Sequence, residues 1–213
     1  YTYEAGNNRL SSTVAPLGDY FRYTYDDRGN LIRLRQFPNS LGGASAFDVF
    51  NAEYPTTCAN VVTCNLPTSI TDARGYRTDY TYDSTHGGVL TVTSPAPSGS
   101  TPVGSGVRPQ TRYVYSQVSA WYKNSGGTIV QAPTPVYRLT SVSSCATSGS
   151  CSGGADETLT TITYGASNQA NNLLPTVVAS GAGDGSLMAT TTAAYDAVGD
   201  VVSVNGSVSG VAD

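Results

Sequence analysis

His86 is the single histidine of the chain, and it stands beside Ser84 and Asp83. A nucleophile, base and acid of these types would have to converge in space, and near neighbours on a hairpin tip do not. His86 is therefore expected to be a turn residue. Asp72, Asp79 and Asp83 lie close along the sequence. Paired acids roughly 5–9 Å apart serve glycoside chemistry, but Asp also opens turns, because its side chain accepts a backbone amide two residues on. Turn duty explains two of the three. Gly181-Ala182-Gly183-Asp184-Gly185 loosely matches a calcium-binding Gly-rich repeat. Such sites form between stacked tandem turns, so one copy reads as a loop. Asn205-Gly206-Ser207 fits the glycosylation sequon, a triplet common by chance. Trp121-Tyr122 offers a surface for a sugar, with packing on the protein's own sheet the favoured reading. No phosphate-binding Gly loop with Lys is present. The expectation is a chain with no catalysis, cofactor or metal of its own.

The four cysteines fall in two pairs, Cys58/Cys64 and Cys145/Cys151, each with the same short spacing. That duplication favours two local disulfides over the other two connectivities. Free thiols and a metal site are the alternatives, although the spacing is loose for zinc and no His lies near. Disulfides would place the chain in an oxidising compartment. Closing so short a loop contributes about 2 kcal/mol in the chain-entropy picture, so the bridges are expected to pin loop tips.

The elements that carry these residues follow from composition. In 213 residues there are 27 Thr and 25 Ser, 23 Gly, and 15 Tyr against 4 Phe and 1 Trp, while charged residues are only 12%. No apolar run approaches the roughly 20 residues of a membrane helix. A net charge of -4 with 11 scattered Lys and Arg argues against a nucleic-acid binder. Low charge with abundant Tyr and Val argues against disorder. What remains is an all-β protein.

One unit recurs. Tyr23-Thr24-Tyr25-Asp26-Asp27-Arg28-Gly29-Asn30-Leu31 is its clearest copy; Tyr80-Thr81-Tyr82-Asp83, with Gly87 following, and Tyr195-Asp196 with Gly199 are the others. Weaker copies stand at Tyr1-Thr2-Tyr3, Tyr113-Val114-Tyr115-Ser116 and Thr163-Tyr164-Gly165, and Asp72-Ala73-Arg74-Gly75 keeps the turn without the preceding Tyr. Tyr-x-Tyr puts two rings on one face of a strand. Asp opens a turn, Gly supplies the positive φ that closes it, and a second strand follows. Each unit is a β-hairpin too small to stand alone, so the copies must stack as antiparallel neighbours. Loops are expected near 94–108, 143–154 and 179–185, with hairpins continuing on both sides, so that 1–213 reads as one continuous segment. One short helix is conceivable over Ala44 to Glu53. The chain begins inside a copy of the unit without Met or a signal peptide, and it reads as a segment of something longer.

Tyr-x-Tyr-Asp-x-x-Gly-Asn-Leu, repeated along a Tyr- and Gly-rich chain, resembles the YD repeat of Rhs proteins, which is shared with toxin-complex BC components and teneurins. The resemblance covers the chain from Tyr1 to about Gly206. It implies stacked antiparallel hairpins forming part of a spiralling, shell-like or solenoid-like sheet, which in bacterial members encloses a toxin. The family's core region with its self-cleavage aspartates is not among these residues, so no proteolytic site is carried over. The resemblance implies a non-catalytic wall segment of a secreted or surface-displayed bacterial protein. Its partners would be neighbouring YD-repeat segments, an enclosed toxin cargo or a cell-surface glycan, without nucleic acid or membrane insertion. Two rival readings are a self-assembling extracellular filament, built by pairing of strand edges, and an enzyme or carbohydrate-binding module.

Overall fold

The computed structural model describes residues 1–39, 44–97 and 106–207. Every regular element among them is a β-strand, and all pairings are antiparallel. The chain divides into two compact units, Tyr1–Arg108 and Pro109–Asp213. The boundary falls at the end of the Pro- and Gly-rich stretch expected as a loop at 94–108, of which Gly99, Pro102 and Gly104 lie outside the described residues.

Unit 1 is a meander in which each strand pairs with the next: β1 (Thr2–Tyr3), β2 (Leu10–Val14), β3 (Tyr20–Tyr25), β4 (Leu31–Phe37), β5 (Phe47–Glu53), β6 (Ser69–Asp72), β7 (Arg77–Tyr82) and β8 (Val89–Thr93). Period-two alternation sorts its side chains. Tyr23, Leu34, Phe50, Ile70 and Tyr80 fall on one face. Arg22, Arg35, Asn51, Thr71, Asp79 and Thr93 fall on the other, as the register requires.

Unit 2 holds β9 (Gln110–Val118), β10 (Trp121–Lys123), β11 (Ile129–Gln131), β12 (Val136–Cys145), β13 (Glu157–Tyr164), β14 (Pro175–Ala182), β15 (Met188–Tyr195) and β16 (Val201–Asn205). Strands β9, β12, β13, β14, β15 and β16 pair in that order, and β10 with β11 forms a small hairpin nested inside the β9–β12 connection.

A single sheet layer leaves few side chains fully enclosed. Only Ala52, Cys64, Ala96 and Cys145 are buried apolar residues among those described. Cohesion therefore rests on ladders and cross-strand pairs, each worth about 0.2–1 kcal/mol. Thr81 with Thr91 and Thr160 with Ser180 exchange hydroxyl hydrogen bonds of 2.6 and 2.8 Å across directly opposed positions, which is where the hydroxyl-rich composition is used.

Two expectations are corrected. The helix conceivable at Ala44 to Glu53 is strand β5. Phe50 and Ala52 stand opposite Leu34 and Ile70, and Asp48 pairs with Arg33 of β4, so a long-range ladder overrides local propensity. The loops at 143–154 and 179–185 begin later than expected, because β12 continues through Cys145 and β14 through Ala182. Gly181 is a ladder residue between Leu159 and Met188, and a Cβ there would run into the Leu187 carbonyl. Its glycine serves close approach and not a loop.

Candidate functional site: tyrosine-anchored turns and the loops that join them

The Asp26 turn shows what the repeat builds. The Asp26 amide donates to the Asn30 carbonyl (2.9 Å) and the Gly29 amide to the Asp26 carbonyl (3.0 Å). Asp26 Oδ1 accepts the Asn30 amide at 2.8 Å, and Oδ2 accepts the Asn30 side-chain amide at 2.8 Å. Gly29 has φ +93°, where an L side chain is strained. Burial alone would raise the Asp26 carboxyl, but the Asn30 hydrogen bonds and the Arg28 charge outweigh it and hold the group below its ordinary 3.8. The Asp196 turn repeats the pattern: Oδ1 takes the Val198 and Asp200 amides at 2.9 Å each, and Gly199 has φ +95°. The Asp83 turn is one residue longer. Its Oδ1 takes the Thr85 and His86 amides (2.7 and 3.1 Å), which hold the carboxyl below 3.8, and Gly87 closes it at φ +72°. At the opposite end of β7, Asp72 caps its turn through the Arg74 and Tyr76 amides.

The tyrosine before each turn has a second role. Tyr25, Tyr82, Tyr164 and Tyr195 donate their hydroxyls to the carbonyls of Leu10, Pro67, Leu139 and Pro175, at 2.8–2.9 Å. Leu10, Leu139 and Pro175 lie on the preceding strand, and Pro67 lies two residues before it. In all four hairpins the ladder also shifts register between this Tyr and the residue before it. The unit is thus a turn, a bulge and a phenolic anchor to the previous hairpin, so each copy holds its neighbour as well as itself. Burial pushes the Tyr25 and Tyr82 hydroxyls above their ordinary 10.0. Tyr23 and Tyr80 sit two residues earlier on the same face, with the Tyr80 and Tyr82 rings 6.4 Å apart. Leu31 opens β4 opposite Tyr25.

Long loops join these turns in pairs. In unit 1 the 54–68 connection lies between the Asp26 and Asp83 turns. Arg28 donates to the Pro55 carbonyl (2.5 Å), Asn30 to the Asn65 side chain (3.2 Å), and Asn60 to the Ser84 carbonyl (2.8 Å). The Cys58–Cys64 disulfide closes this loop. In unit 2 the 165–174 connection lies between the nested hairpin and the Asp196 turn. Asn172 is 2% exposed; its Oδ1 accepts the Trp121 amide (2.8 Å) and its Nδ2 donates to the Ser119 carbonyl (2.9 Å). Asn171 donates to the Asp196 and Ala197 carbonyls (3.3 and 3.1 Å). The loop also accounts for the missing Asp after Tyr164: a Cβ at Gly165 would stand 2.8 Å from the Asn172 Cα.

The second disulfide, Cys145–Cys151, is tied to a polar cluster that no sequence motif announces. Glu157, 5% exposed, accepts from the Ser143 hydroxyl, from Arg112 (3.5 Å) and from the Gly153 amide (2.7 Å). Hydrogen bonds from Ser143 and then Gly153 hold its carboxyl below the ordinary 4.5. Arg112 also approaches the Cys145 sulfur at 3.5 Å. Both bridges therefore reach a buried member, since Cys64 and Cys145 are each 3% exposed. The first bridge lies within the 54–68 loop, with Cys58 exposed, as a pinned loop should; the second differs, because Cys145 ends the β12 ladder.

Of the other candidates, His86 and Asp83 meet, with His86 Nε2 3.5 Å from Asp83 Oδ1, but Ser84 brings no hydroxyl bond to them and the rest do not converge. His86 Nδ1 accepts the Gly88 amide at 3.0 Å, and the Ser84 carbonyl serves Asn60. Asp79 lies within a network of Arg77, Arg108 and Glu53, remote in role from the turn acids Asp72 and Asp83. Gly183 is small because Glu157 occupies the space beside it, and Asp184 caps its own turn through the Ser186 amide. Among the described residues no three His, Cys, Asp or Glu side chains gather as a metal site. Trp121 is half-buried and lines a cavity of about 370 Å³ with Asn171, Leu173 and Val198, while Tyr122 is exposed. Asn205 is exposed at the end of β16.

No protein-family model matches the chain, and no curated protein matches it. Among solved structures, the chain is similar to TcdB2-TccC3 without its hypervariable C-terminal region, at 13% identity and TM-score 0.44, over 95% of this chain and 10% of that one. It is similar to TcdB2-TccC3-Cdc42 at 14% identity and TM-score 0.42, over 90% and 9%. A porin-like protein from Bacteroides uniformis aligns at 16% identity and TM-score 0.28, over 96% and 91%. The chain spans about a tenth of the length of the TcdB2-TccC3 chains. At these identities and scores the likenesses assign no function.

Proposed function

We propose that this chain is a non-catalytic wall segment of a YD-repeat protein of the Rhs kind, whose parent encloses a toxin cargo. The supporting observation is the fourfold recurrence of one joint, in which the Tyr at the strand end bonds a backbone carbonyl on the preceding strand or just before it. The side chains of the repeat are consumed in making a continuous, locally anchored sheet, which is the work of a wall. The two disulfides support a secreted or surface-displayed location. Electron microscopy of the intact parent chain tests the reading: a hollow capsule with internal density is expected, and a string of separate globules overturns it.

A second reading is a self-assembling extracellular filament, in which a strand edge of one copy accepts a strand of another. Sedimentation across a concentration series separates the two: association rising with concentration supports the filament, and a constant monomer removes it.

A further inference from the structure

The polar face of unit 1 carries positive charge that its own carboxylates do not balance. Arg22 stands directly opposite Arg35 in the β3–β4 ladder, and Arg33 stands opposite Thr24 two residues along. By alternation all three guanidinium groups share one face of two adjacent strands. Like charges directly opposed destabilise a sheet, and arginine cannot relieve the conflict by losing its proton. One carboxylate answers them. Asp48 lies 2.7 Å from Arg33 Nε and 3.9 Å from Arg35 Nε. Arg35 Nε is buried and makes no hydrogen bond, so its terminal nitrogens are what it offers outward, and among the described residues no acid pairs with the exposed Arg22.

Two of the three are also held by an aromatic ring. Arg22 and Arg35 both lie over the Phe37 ring, at 5.3 and 5.5 Å, and Phe37 stacks on Tyr20 at 4.3 Å with 3° between the planes. A carboxylate fits the N–H edge of a guanidinium through two parallel bonds.

We propose that the Arg22–Arg33–Arg35 face docks an acidic polypeptide segment in extended conformation, with carboxylates at alternate positions. In an extended chain, side chains on one side repeat every 6.5–7 Å or so, which is also the spacing of Arg33 and Arg35 along β4. A nucleic acid suits the face poorly. Strand binders stack bases on open aromatic platforms, whereas Phe37 is already covered by Tyr20 and two guanidinium groups. Three cations on a chain of net charge -4 are also few for a polyphosphate.

Fluorescence anisotropy on the whole chain tests this, with labelled eight-residue peptides alternating Glu and Ser, matched Gln-Ser peptides and oligo-dT as probes. The Glu-Ser peptide is expected to bind at least tenfold more tightly than Gln-Ser and than oligo-dT. R22Q/R35Q should weaken it at least tenfold, and R22K/R35K by several-fold, because lysine keeps the charge and loses the paired geometry. Equal binding of Glu-Ser and Gln-Ser, insensitivity to R22Q/R35Q, or tighter binding of oligo-dT would each overturn the proposal.

Discussion

The two long loops solve one structural problem by different chemistry. The first ties the Asp26 turn to the Asp83 turn, and the second ties the base of the nested hairpin to the Asp196 turn. The 54–68 loop of unit 1 is closed covalently by Cys58–Cys64 and touches its turns mainly through backbone carbonyls that accept from Arg28 and Asn60. The 165–174 loop of unit 2 has no covalent closure. It bends through Asn168 and Asn171 at positive φ and inserts the Asn172 amide between two backbone groups. A disulfide acts chiefly by restricting the unfolded chain. A buried amide acts in the folded state, by satisfying a donor and an acceptor that would otherwise be stranded. The first loop should therefore tolerate changes in its contacts, and the second should not.

Asn172→Ala is expected to show this most strongly. It strands the Trp121 amide and the Ser119 carbonyl and opens a small void, at a cost of about 3 kcal/mol. Denaturant unfolding should register the loss, and amide exchange should place it at residues 119–123. A cost under about 1 kcal/mol would mean the loop holds by packing alone. Next comes C58A/C64A, with a loss of about 2 kcal/mol and little change in exchange at the Asp26 and Asp83 turns. Selective loss of protection at both turns would show instead that the bridge acts through folded contacts, which would erase the contrast.

Gly29→Val and Tyr164→Phe probe the joint itself. Valine at φ +93° is strained, and its Cβ would lie 3.1 Å from the Arg9 guanidinium; a loss of about 2 kcal/mol is expected. Tyr164→Phe removes only the hydrogen bond to Leu139, at about 1 kcal/mol. It is informative because Tyr164 lacks the Asp that the repeat otherwise supplies. A loss equal to that of Tyr25→Phe would show the anchor to be independent of the turn beside it.

What was legible in the sequence divides along the same line. Tyr25, Asp26 and Gly29 form their turn within five residues, so the motif states its own geometry. Nothing near Asn172 reveals its partners, which lie about fifty residues earlier at Ser119 and Trp121. The hydroxyl anchors were equally hidden, since Tyr25 and Leu10 meet only once β2 and β3 are paired. The turn at Asn124 was overlooked because Asn replaces Asp, although its side chain takes the Gly126 and Thr128 amides in the same way. The cysteine spacing pointed to the two bridges, but the Arg112–Ser143–Glu157 cluster at the second one joins residues from three strands. Strand β5 is not legible locally, because Ala44-Ser45-Ala46-Phe47 carries no sign of the Asp48–Arg33 pair.

Charge separates the units last and least. Eight of the 11 Lys and Arg and nine of the 15 Asp and Glu lie in unit 1, and several meet where Asp79 accepts from Arg77 and Arg108 while Arg77 also reaches Glu53. Burial would raise the Asp79 carboxyl, but its two arginines outweigh that and hold it below 3.8; hydrogen bonds from Arg77 and then Ser69 hold Glu53 below 4.5. A carboxyl depressed in the folded state binds its proton more weakly there than in the unfolded chain. Its stabilisation is full above the unfolded values and is lost as pH falls below them. The network is partly exposed, so solvent screens it, and about 1 kcal/mol is expected to disappear as pH drops from about 5 to below 3.8. In melts across that range, Asp79→Asn should be less stable than the parent at pH 6 and should lose less on acidification. Parallel curves for parent and variant would show that Asp79 takes no part in the acid dependence of unit 1.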